Sequence, residues 1–211
     1  MRWAVPISLA GTALVWEENS WGILNLIVLP EPVKLFVVMV LFDLAIYWQH
    51  RIFHIVPFLW RIHKVHHADS AFDVTTGFRF HPAEILVSVL FKMVLIVILG
   101  PSPESILIFE IVLSAAAMFS HANIRFPLGV DRVLRYAIVT PDMHRIHHSV
   151  NDNEMNKNFG FFLAVWDKVF GSYVQTPQEG QEKLVVGLSR YRNQNPSLFW
   201  WCLILPFRRN K

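Results

Sequence analysis

Histidine is the residue type with the most obvious chemistry in this chain. Eight of its ten histidines fall in three motifs: His50-Arg-Ile-Phe-His54, His63-Lys-Val-His66-His67 and His144-Arg-Ile-His147-His148. On a helix, residues three and four apart share a face, so each motif makes one patch of imidazoles. His81 and His121 stand alone, each near the end of an apolar run. Neutral imidazole is a good ligand for iron, zinc and copper. A single catalytic zinc takes only three protein ligands and a water, so this count favours two metal ions. Gathered imidazoles with no metal would repel one another once protonated and gain little.

A metal-bound histidine usually donates its other ring N–H to a carboxylate or a carbonyl, which fixes the ring. Asp43 shares a helix face with His50 and His54, Glu84 follows His81, and Asp142 precedes His144. These three carboxylates are candidates to hold rings from behind. Asp142 is also a candidate helix cap, because Thr140-Pro141-Asp142 has the form of a helix start. His81 and Asn123 are further candidates, as ligands or as partners of a ligand.

The elements that position these residues are apolar. Hydrophobic residues make up 54% of the 211 and charged residues only 17%, against about 25% charged in a soluble domain. Four apolar stretches stand out: 3–16, 21–48 with a break at Leu29-Pro30-Glu31-Pro32, 85–99 and 105–120. Crossing a bilayer takes about 20 apolar residues, fewer with tilt and flanking anchors. The last two stretches are joined by Gly100-Pro101-Ser102-Pro103 and read as a helical hairpin. Lys92 and Glu110 lie nine residues either side of Pro101. They should share one depth and pair, because charges in hydrocarbon seek partners. The first stretch reads as a membrane segment that does not necessarily span.

Arg51, Arg61, Lys64 and Arg79 sit in the loop 49–83, and Arg125, Arg132, Arg135, Arg145, Lys157 and Lys168 in 121–171. The other ends carry Glu17, Glu18, Glu31 and Glu104. The positive-inside rule then puts every histidine on, or just beneath, the cytoplasmic face. The expected architecture is all-α: one membrane-embedded catalytic domain over 1–211. Residues 1–122 supply the membrane helices and the first histidine clusters. Residues 123–211 form a cytoplasmic cap, mainly helical, with the last cluster. The segment 197–207, followed by Arg208, Arg209 and Lys211, is too short to span and suits either an interfacial helix or packing against the cap.

Cys202 is the single cysteine, which excludes an intrachain disulfide and cysteine-based zinc or iron–sulfur sites. The net charge of +3 does not signal nucleic acid, because the cations flank apolar runs and form no basic stripe. A zinc hydrolase would want a general base such as the Glu of HExxH, and the chain has none. A metal carrier would want ligands across the membrane midplane, whereas these histidines gather at one end. Haem needs only one or two axial ligands.

The motifs HxxxH, HxxHH and HxxHH, in this order and spacing, resemble the fatty acid hydroxylase and sterol desaturase superfamily of integral-membrane non-haem di-iron enzymes. Phe78-Arg79-Phe80-His81-Pro82-Ala83-Glu84, Ser120-His121-Ala122-Asn123, Asn158-Phe159-Gly160, Trp166-Asp167 and Phe170-Gly171 are similar to stretches of that family, and the resemblance runs over roughly residues 40–175. It implies two iron ions, O₂ as co-substrate, and a lipid that is hydroxylated, desaturated or cleaved at an ether. It places the ligands on His50, His54, His63, His66, His67, His144, His147 and His148, with His121 as the ninth. Many members carry another histidine about four residues after the one matching His121. Arg125 stands there in this chain, so one ion is expected to have fewer protein ligands, or to use His81 or water instead. No haem, dinucleotide or iron–sulfur motif is present, so electrons must come from a partner such as a ferredoxin, a rubredoxin or a cytochrome b5-like protein. Phe78, Phe80, Phe119, Phe159, Phe161 and Phe162 are candidates to line the path of an apolar chain.

Overall fold

The prolines and glycines that interrupt the apolar stretches mark most of the element boundaries. The structure is a computed structural model and describes residues 8–208 except 193, 195 and 197. Residues 3–7 of the first apolar stretch, and Ser197, Arg209 and Lys211 of the C-terminal segment, lie outside the described residues. Helix α1 (Leu9–Glu18) starts at Ser8, whose hydroxyl accepts the Gly11 N–H. Its 10 residues reach only about 15 Å, half of the hydrocarbon thickness. Helix α2 (Glu31–Ile55) begins at the Pro30-Glu31-Pro32 break and runs 25 residues to the first histidine pair. Pro57 has no N–H to continue it, so α2 stops and α3 (Pro57–His67) opens with that proline in its first turn.

Helices α4 (Pro82–Leu99) and α5 (Pro103–Ser120) form the expected hairpin. Among the described residues these are the two helices long and apolar enough to cross a membrane. Ile85, Leu86, Leu90, Val94, Val97, Leu107 and Ile111 remain exposed on them, as lipid-facing side chains would. The turn requires glycine: Gly100 has φ +66°, and a Cβ there would stand 2.1 Å from the Trp21 carbonyl oxygen. Lys92 Nζ meets both Glu110 carboxylate oxygens, at 2.6 and 2.7 Å, so the two charges pair as the hairpin register predicted. Helix α1 packs on α4 and α5, and α2 packs on α5, burying Ala13, Val38, Phe42, Ile96, Ile106 and Phe109 in one core.

The cap differs from expectation in being sparsely helical. It holds short helices, α6 (Leu128–Leu134), α7 (Pro141–His147), α8 (Asp152–Met155), α9 (Val165–Val169) and α10 (Phe199–Ile204). Two isolated antiparallel bridges, Ile138–Leu163 and Ser149–Val186, join its loops. Buried polar side chains hold this region together where a helix or sheet ladder would otherwise do so. Asp167 accepts the N–H groups of Phe159 and Gly160 at 2.7 Å each and the Ser172 hydroxyl at 2.6 Å. Asn158, at φ +53°, donates to the Met143 and Val174 carbonyls and accepts the Val174 N–H. In the C-terminal segment Trp201 and Leu205 bury against Val65, Ala68 and Tyr191, while Phe199, Trp200, Ile204 and Phe207 stay exposed. One face therefore packs on the end of α3 and on Tyr191, and the other is free for an interface.

Candidate metal centre

Four elements converge on the site. Helix α2 brings His50 and His54, α3 brings His63, His66 and His67, the C-cap of α5 brings His121, and α7 with its C-cap brings His144, His147 and His148. These nine side chains sort into two groups that can each hold a metal ion. His50, His54, His63, His67 and His147 offer ligand atoms within 4.8 Å of one another, and so do His66, His121, His144 and His148. Both HxxHH motifs are divided between the groups. On α3, His63 and His67 face one group and His66 the other; on α7, His147 faces the first and His144 and His148 the second. The groups therefore touch: the His67 and His148 rings stack at 4.4 Å and those of His144 and His147 at 5.1 Å. The two HxxHH helices thus set a pair of sites side by side.

The partners of the rings show which nitrogens carry lone pairs. His50 Nδ1 meets the Phe159 carbonyl at 2.8 Å, His147 Nδ1 the Lys157 carbonyl at 2.8 Å, and His121 Nδ1 the Ala117 carbonyl at 2.8 Å. A carbonyl only accepts, so each Nδ1 holds the proton and each Nε2 presents a lone pair. His63 Nδ1 meets Glu84 Oε1 at 2.6 Å, which orients it the same way. Nε2 of His50, His63 and His147 is buried with no hydrogen-bond partner. His121 Nε2 lies 3.1, 3.2 and 3.3 Å from Nε2 of His144, His66 and His148. One lone pair cannot serve three neighbouring nitrogens, but a cation among them can bind all four. Metal–nitrogen bonds of about 2.1 Å at right angles give an edge of about 3.0 Å, close to these separations.

The electrostatics favour the ligating form. Burial, followed by repulsion from neighbouring histidines, holds His66, His67, His144 and His148 far below the ordinary imidazole pKa. Burial lowers His147 to about 3, against the opposing pull of the Lys157 carbonyl. Such rings stay neutral at pH 7 with lone pairs available. An all-imidazole set of this size fits two first-row transition-metal ions.

Of the three carboxylates proposed to hold rings from behind, Glu84 alone does so. Asp43 shares the α2 face with His50, but its carboxylate accepts from the Phe162 and Leu163 N–H groups at 3.2 and 3.1 Å and from Trp166 Nε1 at 2.8 Å. It anchors the segment whose Phe159 carbonyl orients His50. Asp142 pairs with Arg145 and, at 3.7 Å, with Arg125. Thr140, not Asp142, caps α7. Asn123 accepts from Arg145 at 3.5 Å. His81 lies outside both groups: its Nδ1 caps α4 by accepting the Ala83 N–H at 3.1 Å, and its Nε2 faces the Leu203 carbonyl at 3.3 Å. Arg125 makes ion pairs at the surface with Asp142 and Glu182. The carbonyls of Ala117, Lys157 and Phe159 were not foreseen, and no sequence signal distinguishes them. Hydrogen bonds of Asn158, Phe159, Gly160 and Asp167 shape the loop that supplies two of those carbonyls.

A cavity of about 170 Å³ opens onto the first group. His50, His63 and Glu84 form one end of its lining, Gln49, Ser88 and Lys92 add polar atoms, and Ile46, Phe53, Phe80, Ile85, Val89, Leu113 and Phe161 supply the apolar wall. Phe80 and Phe161, two of the residues expected along the path of an apolar chain, line this cavity. Phe159 packs on the His50, His54 and His147 rings, Phe119 and Phe162 line a separate cleft, and Phe78 is exposed.

A helical membrane scaffold with two adjoining histidine-only sites at one end defines a membrane protein built for a dimetal centre. Residues 35–172 match the fatty acid hydroxylase family, and the chain belongs to that family. It is 30% identical to human (Homo sapiens) alkylglycerol monooxygenase over 148 residues, 70% of this chain and 31% of that protein. It is 29% identical to the ornithine lipid hydroxylase OlsE of Rhizobium tropici over 140 residues, 66% of this chain and 41% of that protein. Human cholesterol 25-hydroxylase is 29% identical over 136 residues, 64% of this chain and 48% of that protein. The chain thus spans less than half the length of these curated relatives. No solved structure matches it.

Proposed function

We propose that this protein is a membrane-bound di-iron oxidoreductase that uses O₂ to hydroxylate or desaturate a lipid. The observation that carries the reading is the pair of interleaved imidazole groups with one end of an apolar cavity lying against them. Nine of the ten histidines, all but His81, are the proposed ligands, five to one ion and four to the other, with His81 left to cap its helix. Two bound irons would supply the activation of O₂ needed to attack an unactivated C–H bond.

The protein's own contribution is positional. Glu84 and the carbonyls of Ala117, Lys157 and Phe159 keep four rings in the ligating tautomer. Ile46, Phe53, Phe80 and Phe161 exclude water and align an apolar chain beside His50 and His63. The relatives named above act, by their names, on an alkylglycerol, an ornithine lipid and cholesterol, which supports a lipid substrate here. Electrons would come from a donor protein of the ferredoxin, rubredoxin or cytochrome b5 type. The cations flanking the histidine end support a cytoplasmic site, where such a donor would dock.

Lipid extracts from cells that express the chain or its His147→Ala form test the reading. A hydroxylated or desaturated lipid should accumulate with the first and not with the second. Identical lipid profiles, with both proteins present in the membrane, would refute it.

A further inference from the structure

The cavity ends in a charge. Its lining runs from Glu84, which meets His63, to Lys92, both on α4. Eight residues of helix separate them, about 12 Å along the axis. Ser88 lies midway and receives a hydrogen bond from Gln49 Nε2 at 3.0 Å. The wall between these polar points is apolar, built from residues such as Ile85 and Val89 of α4 and Ile46 of α2.

A lysine inside a membrane helix is costly, and such residues are generally kept where they pair or work. For packing alone an apolar pair would serve as well, since buried ion pairs add little stability over hydrophobic replacements. The Lys92 ammonium has three donors. Two point to Glu110 at 2.6 and 2.7 Å, and among the described residues no other acceptor meets it. Lys92 is 7% exposed and lines the cavity, which leaves its remaining donor for a group held there.

We propose that Lys92, held by Glu110, is the distal anchor of the substrate channel. It donates a hydrogen bond to an uncharged oxygen, a hydroxyl, ether or ester carbonyl, carried by the part of the lipid that lies about two turns of α4 beyond Glu84 and the histidine end. The inference rests on the reading of the site as a lipid oxidase. Glu110 sets the class of oxygen: its carboxylate cancels the lysine charge and would repel a free carboxylate on the ligand.

The test uses the iron-loaded protein in detergent, with radiolabelled octadecanol and octadecane as probes and equilibrium binding as the readout. Wild type should bind the alcohol at least about tenfold more tightly than the alkane, as expected for a hydrogen bond to a charged donor in an apolar site. K92M alone strands Glu110 and can misfold, so the comparison is the charge-neutral K92M/E110L form, which should bind both probes alike. V89W should block both probes while the metal content is retained. Equal binding by wild type, a preference that survives in K92M/E110L, or probe binding unaffected by V89W would each overturn the proposal. An alcohol preference lost in K92M/E110L, found in protein that yields no oxidised lipid, would refute the oxidase reading and leave the anchor standing. Oxidised lipid without any preference would refute the anchor alone.

Discussion

Glu84 offers a test of how the centre is held. Its Oε1 accepts the His63 Nδ1 proton at 2.6 Å, both side chains are almost fully buried, and among the described residues Glu84 hydrogen-bonds to no other histidine. Replacing a carboxylate behind a metal-bound histidine typically costs about ten- to hundredfold in metal affinity, or about 1.4–2.7 kcal/mol. Glu84→Ala should therefore weaken the ion held by the His50 group by that factor and leave the ion of the His121 group nearly unchanged. Glu84→Gln keeps an acceptor oxygen without the charge and should show a smaller loss. The assay dialyses iron-loaded protein against a graded series of chelators and measures iron per chain. Glu84→Ala should pass through a plateau of one iron at chelator strengths where wild type keeps two. Metal-free forms with matching thermal unfolding would show that the fold is intact. Wild-type resistance in Glu84→Ala, or loss of both irons together, would refute the assignment of Glu84 to one site.

Other expectations concern the scaffold. Asp167→Asn puts an N–H₂ group among donors that now meet a carboxylate, and should cost about 2–4 kcal/mol, read as a lower unfolding temperature; an unchanged temperature would contradict the hub role. Gly100→Ala meets both a positive φ and a 2.1 Å approach to the Trp21 oxygen, and should destabilise by at least about 1 kcal/mol; a neutral or stabilising effect in a thermal melt would count against the turn geometry. In the metal-free protein, His147 has its pKa lowered from 6.5 to about 3, and its buried neighbours shift the same way. The unfolded chain then binds protons that the folded chain refuses. Stability should be full above about pH 6.5 and be lost progressively as pH falls below it. An unfolding temperature that stays flat or rises from pH 7 to pH 5 would contradict this.

The histidine patches were legible because helical spacing is local: i, i+3 and i+4 share a face in any fold. The Lys92–Glu110 pair was legible because a short turn fixes the register of a hairpin. What local spacing could not show was that one HxxHH motif serves two sites, since that depends on how α3 and α7 face each other. Asp43 illustrates the same limit. Its face on α2 was read correctly, but the amides of Phe162 and Leu163 that it binds lie about 120 positions further along the chain. The carbonyls of Ala117, Lys157 and Phe159 were invisible because every residue carries one. The cap departs from the mainly helical expectation because Asp167 and Asn158 stabilise non-helical backbone by hydrogen bonds to groups that local sequence does not reveal.

The dimetal reading stands or falls on what the nine histidines bind. Protein purified from cells grown with ⁵⁷Fe and examined by metal quantitation and Mössbauer spectroscopy should contain two irons per chain as a coupled pair, and His147→Ala should lower that content. Freshly purified protein that instead holds a single zinc, or no iron, would contradict it.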